Sequence, residues 1–540
     1  MCRCWLQQLW PLLCLLVFQV CEVAWAFSVS SSSRRQAACS NGQRLEDILG
    51  SDTDGKDIFP RTWIPLAAVD QLDPSRPTPL QFMGNQYVTY RVNDDNRNRS
   101  IDPQWVVLDD VCPHRLAPLS EGRIDPDTQN LECAYHGYQI KGTDGSLQRI
   151  PQLDRLPSPA SMPCVPSYPT MVHRGVLWAW LWMDDPLTVA GIPQAHPEGM
   201  ARGIGQAMSI YQRDLPYGYD TLLENLGDPA HVPFAHHGLQ GTRDDAIPIN
   251  MTVVVTQHSD ADDAASSSTT SSSSSSTSPY GFTMRFADRT MKKYRQGVGA
   301  FQAPYVLRYF GNYTTDQGQP LIDTAPFRLS TICIPTRPGW SRVIIFTGGG
   351  GDEDEEKGNK SPEQSDTEEK SSSPKLVSLI FRLVPTWLLH VFSSRFLDSD
   401  LAFLHYQERE ARARLNPTRP LASTYYCPAP ADRGVLAMRQ WFRTYARAWE
   451  AQSLPSSPER RDDLFDRKEQ HVKSCQHCQT ALQGISKWRR NAIGTLAASV
   501  VVLSWSPVAK VTAAGSLLLI PLLNTMERAI TKGGYDHSKT

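Results

Sequence analysis

Over residues 58–186 short apolar and β-branched runs are broken at close intervals by Gly, Pro and Asp. The runs at 87–91, 105–108 and 176–182 read as strands, which predicts a small all-β unit. Over residues 203–451 strand-like runs mix with helical periodicity. The clearest helices are predicted at 401–414 and 437–449, and the whole reads as an α+β domain. Two segments break this pattern. Residues 259–279 are mostly Ser and Thr, and residues 348–374 are rich in Gly, Glu, Asp and Ser. Neither can bury enough apolar surface to fold, so both are expected to be disordered loops. Strand-like runs at 251–256 and 342–346 precede them, so they interrupt a domain rather than separate two. No internal repeat is visible.

The two ends have their own patterns. Arg3, an apolar run over 9–20 and Ala24-Trp25-Ala26 give residues 1–26 the layout of a signal peptide. Residues 27–57 open with Phe27, then a Ser- and Arg-rich, acid-poor stretch of transit-peptide composition. At the other end, residues 491–509 and 511–526 are apolar, separated by Lys510 and interrupted by Pro507 and Pro521. The first run is about the minimum length to span a bilayer. Without a polar face, the pair is expected to form a transmembrane hairpin over residues 491–526 rather than a buried core hairpin.

A chain of 540 residues, 40% hydrophobic, is long enough for two or three folded units. A net charge of -2 gives no basic excess, so no nucleic-acid partner is expected. The twelve cysteines lack the regular spacing of a secreted disulfide scaffold. Two of them lie in a His-rich stretch, which points to metal.

That stretch pairs Cys112-Pro-His114 with Cys133-Ala-Tyr-His136. Two Cys and two His suit either a tetrahedral zinc site or a [2Fe–2S] cluster with mixed ligands. A second pattern follows: Asn225-Leu-Gly-Asp228-Pro-Ala-His231-Val-Pro-Phe-Ala-His236. Two His and one carboxylate can face an Fe(II) ion and leave positions open. His237 is an adjacent rival to His236. The carboxylate must come from elsewhere, and Asp398 and Asp400 open the late predicted helix. Both could instead be helix-start acids favoured by the macrodipole.

Arg115, Pro118, Leu119, Gly122 and Tyr135-His136-Gly137-Tyr138 around the first set make it closely resemble Rieske-type non-haem iron oxygenases. The resemblance implies one [2Fe–2S] cluster on Cys112, His114, Cys133 and His136. It implies one mononuclear Fe(II) on His231, His236 and Asp400, with Asp398 the fallback. It also implies that Asp228 bridges a cluster His of one subunit to an iron His of the next, with His136 and His231 the expected pair. That requires a head-to-tail homotrimer; an N-cap is the plain alternative for Asp228. The implied fold is α+β: an all-β Rieske domain (58–186), an α+β catalytic domain (203–451) and the C-terminal hairpin.

Three further features are similar to the pheophorbide a oxygenase-like branch. They are Pro335-Thr-Arg-Pro-Gly-Trp-Ser-Arg342, Val165-Pro-Ser-Tyr-Pro169 with Gly175-Val-Leu-Trp178, and Cys475-Gln-His-Cys478 ahead of the hairpin. This branch implies ferredoxin as electron donor, a chlorophyll-derived tetrapyrrole as substrate and a plastid membrane, envelope or thylakoid. Pheophorbide a macrocycle opening is the expected reaction. Chlorophyllide or protochlorophyllide oxygenation, or a non-catalytic redox role in the import translocon, is the alternative. The leader resembles the two-part plastid leader of algae with complex plastids. The segment at 471–478 holds Cys475 and Cys478, read as a redox-regulatory dithiol and possible thioredoxin target. Metal binding with His471 or His477 is the other reading.

Overall fold

In the computed structural model the described residues are 59–92, 104–182, 186–189, 192–205, 209–255, 278–321, 324, 326–347, 384–414, 425–446, 449, 460–502 and 506–539. The expected signal and transit segments, and residues 259–277 and 348–374 of the two insertions, lie outside them.

The N-terminal part is all β. Strands β1 (Ile64–Ala68), β2 (Thr78–Phe82), β3 (Asn85–Val92), β4 (Gln104–Asp109), β5 (Arg123–Ile124), β6 (Leu131–Glu132), β7 (Gln139–Ile140), β8 (Leu147–Arg149), β9 (Ser167–Tyr168), β10 (Thr170–His173) and β11 (Val176–Ala179) form three small sheets. Their orders are β1-β11-β10, β2-β3-β4-β9 and β5-β6-β7-β8. The β3–β4 pair divides two apolar cores. Successive side chains on a strand point to opposite faces. Thus Trp105 and Val107 join the main core, while Val106 and Leu108 join a smaller one with Cys112, Leu131, Cys133 and Ile140. The smaller core is the floor beneath the Cys–His loops.

The second part is built on one antiparallel sheet. Strands β12 (Ser209–Leu215), β13 (Thr252–Val255), β14 (Gly281–Thr290), β15 (Lys293–Gln302), β16 (Val306–Thr314), β17 (Phe327–Arg337) and β18 (Trp340–Thr347) run in the order β12-β18-β17-β16-β15-β14-β13. The two parts share their main core, and hydrogen bonds cross between them. Ala68 N donates to Gln212 Oε1 at 2.8 Å, and Met83 N donates to Pro335 O at 2.9 Å. Arg342, from the family-like Pro335–Arg342 segment, holds Asp214 through two nitrogens at 2.6 and 3.0 Å and donates to Leu66 O at 2.8 Å. One buried side chain therefore ties β18, β12 and β1.

The principal helices are α1 (Tyr219–Leu226), α2 (Thr386–Ala413), α3 (Arg433–Tyr445), α4 (Gln476–Val502) and α5 (Pro507–Thr531). Helix α2 departs from expectation. It starts just after Pro385, so Asp398 and Asp400 lie in its interior and not at its N-terminus. Its buried positions His390, Ser394, Leu397, Leu401, Leu404 and Glu408 recur every three or four residues. That spacing makes one continuous buried face from His390 onward. Helix α3 likewise starts four residues before the predicted 437.

The C-terminal hairpin forms, but its break differs from the predicted one at Lys510. Helix α4 ends at Val502 and α5 begins at Pro507, Lys510 lies inside α5, and α5 runs on through Pro521. Pro507 at the first helical position loses no hydrogen bond, because that N–H would be unpartnered anyway. Among the described residues, α5 is the one helix long and apolar enough to cross a membrane.

Candidate active site

The two Cys–His loops have matching backbone geometry. In the first, Cys112 N donates to Ala117 O at 2.8 Å and Leu116 N to Cys112 O at 3.0 Å. In the second, Cys133 N donates to Tyr138 O at 2.9 Å and Gly137 N to Cys133 O at 3.0 Å. The fourth residue after each Cys is left-handed, Leu116 at φ 60° and Gly137 at φ 73°. Glycine suits such a position, and leucine is strained there. The two loops close on each other. Gly122 passes so near the next strand that an added Cβ would lie 2.2 Å from the Glu132 carbonyl oxygen.

The four predicted cluster residues lie on these loops as a pair of thiols and a pair of imidazoles. Cys112 and Cys133 are buried and adjacent, and burial with the neighbouring sulfur pushes the Cys112 thiol up to about 11. The Cys112 thiolate is therefore costly without a strong positive charge beside it, which a bound metal would supply. The rings of His114 and His136 stand edge to face at 4.5 Å, nearer the surface. Tyr138 stacks on His114 at 4.5 Å.

His231 ends a 3-10 turn (Pro229–His231), and His236 follows the single turn Val232–Ala235. With Asp400 they bring three ligand atoms within 4.8 Å of one another. Nε2 of His231 lies 3.2 Å from Nε2 of His236, which is 3.4 Å from Asp400 Oδ2. Hydrogen bonds fix both tautomers. His236 Nδ1 is 2.7 Å from the Ser399 hydroxyl, which itself donates to Phe396 O at 2.6 Å. That hydroxyl can only accept from the ring, so the His236 proton sits on Nδ1. His231 Nδ1 contacts Asp228 O, an acceptor only. Both Nε2 atoms therefore present bare lone pairs to the same point.

A cation fits there. Asp400 Oδ1 is buried with no partner, and burial pushes the carboxyl up to about 7 against the pull of His231. Burial also drives His236 well below the ordinary imidazole range. Two facing lone pairs and an orphaned carboxylate oxygen, with His236 and Asp400 buried and His231 half-buried, form a donor set for a metal of imidazole and carboxylate preference.

Other candidates fall elsewhere. Asp398 is held by Arg213 at 2.7 Å and Arg467 at 2.7 Å and does not face the histidines. His237 accepts from Arg243 N at 3.1 Å, outside the set. The Asp228 carboxylate caps Ala230 N at 2.8 Å and lies 4.0 Å from His231 Nδ1. Among the described residues, no hydrogen bond joins it to His114 or His136 within one chain. Ser399 escaped sequence reasoning, because a serine inside a helix carries no signal of its own.

The fold and both donor sets define a Rieske-type oxygenase. A model of the Rieske [2Fe–2S] domain matches residues 62–169, and one of pheophorbide a oxygenase matches residues 301–417. The chain is 29% identical over 480 residues to "Pheophorbide a oxygenase, chloroplastic" of Arabidopsis thaliana, covering 84% of this chain and 78% of that one. It is 30% identical over 479 residues to the protein of that name from Oryza sativa subsp. japonica, covering 83% and 78%. It is also 28% identical over 523 residues to "Flavonoid 8-hydroxylase 2, chloroplastic" of Ocimum basilicum, covering 91% and 88%. The chain belongs to the pheophorbide a oxygenase-like family of Rieske-type oxygenases.

Proposed function

We propose that this chain is a plastid membrane enzyme that uses ferredoxin electrons and O2 to oxygenate a chlorophyll-derived tetrapyrrole, with pheophorbide a opening as the leading reaction. Cys112, His114, Cys133 and His136 hold the [2Fe–2S] cluster, and His231, His236 and Asp400 hold one Fe(II). The observation that carries the reading is the convergence of those last three side chains on one point, with bare Nε2 atoms and an unpartnered, buried carboxylate oxygen. When bound, the cluster supplies single electrons, and the ferrous ion supplies the centre at which O2 is activated, one oxygen atom going to substrate and the other to water.

The chain's own residues do the positioning. Ser399 and the Asp228 carbonyl hold the two imidazoles in the ligating tautomer. Phe396 stacks on His236 at 3.9 Å and keeps water from its face. The near-surface His114–His136 pair leaves one edge of the cluster open to a partner. Asp228, partly exposed beside His231, serves as the bridge to a cluster histidine of the next subunit in a homotrimer. Helix α5 anchors the chain near lipid, where such substrates partition.

The test is a reduced, anaerobic sample of the full-length protein given ferredoxin, O2 and one candidate at a time. The candidates are pheophorbide a, chlorophyllide a, protochlorophyllide and a flavone, with products identified by mass. Oxygen incorporation into a tetrapyrrole is expected. Hydroxylation of the flavone alone would overturn the substrate class.

A further inference from the structure

The segment around the CxxC does not stand alone. Four buried side chains converge there: His390 from the first turns of α2, His471, Cys475 just before α4, and Cys478 in its first turn. Their ligand atoms all lie within 4.8 Å of one another. His390 Nδ1 is 3.4 Å from Cys475 Sγ and 3.6 Å from Cys478 Sγ. His471 Nε2 is 3.4 Å from Cys478 Sγ and 3.2 Å from His390 Nδ1. Exposed His477 is not part of the set.

These separations have a physical scale. A tetrahedral Zn2+ with bonds of about 2.3 Å to sulfur and about 2.05 Å to nitrogen has S–N edges of about 3.5 Å and an N–N edge of about 3.3 Å. The observed edges match within 0.2 Å, the tolerance expected of a real site. The tautomer agrees as well. His471 Nδ1 lies 2.6 Å from Gln212 O, which can only accept, so its Nε2 is a bare lone pair. His390 Nε2 is buried without a partner, so all polar company of that ring is the other three donors.

We propose that His390, His471, Cys475 and Cys478 form a third metal centre, a closed Cys2His2 site for Zn2+. It is independent of the oxygenase assignment. With four protein ligands it has no open position, so it is structural. It staples α2, ten residues ahead of Asp400, to the base of the C-terminal hairpin and, through Gln212, to the edge strand β12. A dithiol exchanging with another protein needs exposed sulfur, and both of these are at most 1% exposed.

The test is elemental analysis and X-ray absorption at the zinc edge on the full-length protein purified with its irons in place. One zinc per chain with two sulfur and two nitrogen neighbours is the expected result. Cys478→Ala and His390→Ala should each lower zinc to background while the Rieske spectrum stays. Because those variants can unfold, the wild-type absorption spectrum carries the decision. Zinc with only nitrogen and oxygen neighbours would place it in the His231 set and overturn the proposal. So would a zinc-free chain whose peptide map shows a Cys475–Cys478 disulfide, or a sulfur-ligated fourth iron in this site.

Discussion

Nε2 of His231 lies 3.2 Å from Nε2 of His236, and hydrogen bonds hold the proton of each ring on its far side. Two lone pairs aimed at one another repel unless a cation lies between them. His231→Ala removes one of the three donors. The variant should keep the Rieske absorption, fall from about three irons per chain to about two, and lose oxygenation to background. Iron analysis beside the spectrum checks this; three retained irons would remove His231 from the ligand set.

Ser399 acts on iron only through His236. Ser399→Ala takes away the acceptor for Nδ1–H and frees the ring to turn or to change tautomer. Such partners are worth about 10–100-fold in metal affinity or activity. A drop of that size in iron affinity, with unchanged cluster content, is the expected outcome of an anaerobic iron titration.

A single substitution can separate the cap that Asp228 makes from the bridging role proposed for it. Its side chain caps Ala230 N, and asparagine caps as well as aspartate. Asp228→Asn should therefore keep the local turn and all metals. The lost charge should slow single-turnover electron transfer from cluster to iron by about 10–100-fold. Normal turnover would rule out the bridging role.

Asp220, in the first turn of α1, is bound by Arg412 at 3.0 Å, Arg439 at 2.8 Å and Trp449 Nε1 at 3.1 Å. Burial alone would raise its carboxyl, yet Arg412 and Arg439 hold it at about 2. A folded-state value below the unfolded one, about 3.9, gives stability that is full above that value and lost as pH falls toward the folded one. Asp220→Asn should cost about 3–5 kcal/mol at neutral pH. The gap to wild type should narrow between about pH 4 and pH 2, as read from denaturant melts across that range.

Leu517, Leu518 and Leu522 of α5 are all more than half exposed, an apolar face with no protein cover. A contiguous face of this kind marks contact with lipid or a partner. Replacing Leu517 and Leu518 with Asp should move the protein from the carbonate-resistant membrane pellet toward the supernatant. Unchanged retention would locate the anchor elsewhere.

Local spacing was enough to single out the two candidate metal-binding segments. Cys112 and His114 share one loop, Cys133 and His136 another, and His231 and His236 one bent turn. Residues that close in sequence stay close in any fold. The β-rich first part and the α+β second part were also legible, because alternation and helical period survive in the chain itself. The break in the C-terminal hairpin was not, because a proline at a helix start and a proline within an apolar run look alike in sequence.

Only tertiary structure decided between Asp398 and Asp400. Two residues apart on a helix they differ by about 200° in direction. The long buried face of α2, which begins at His390, sets which one meets the histidines and which one meets Arg213 and Arg467. The same helical phase brings His390 to Cys475 across 85 residues. Sequence fixes which donors are neighbours along the chain; the packing of one helix against one sheet edge fixes which distant donors share a point in space.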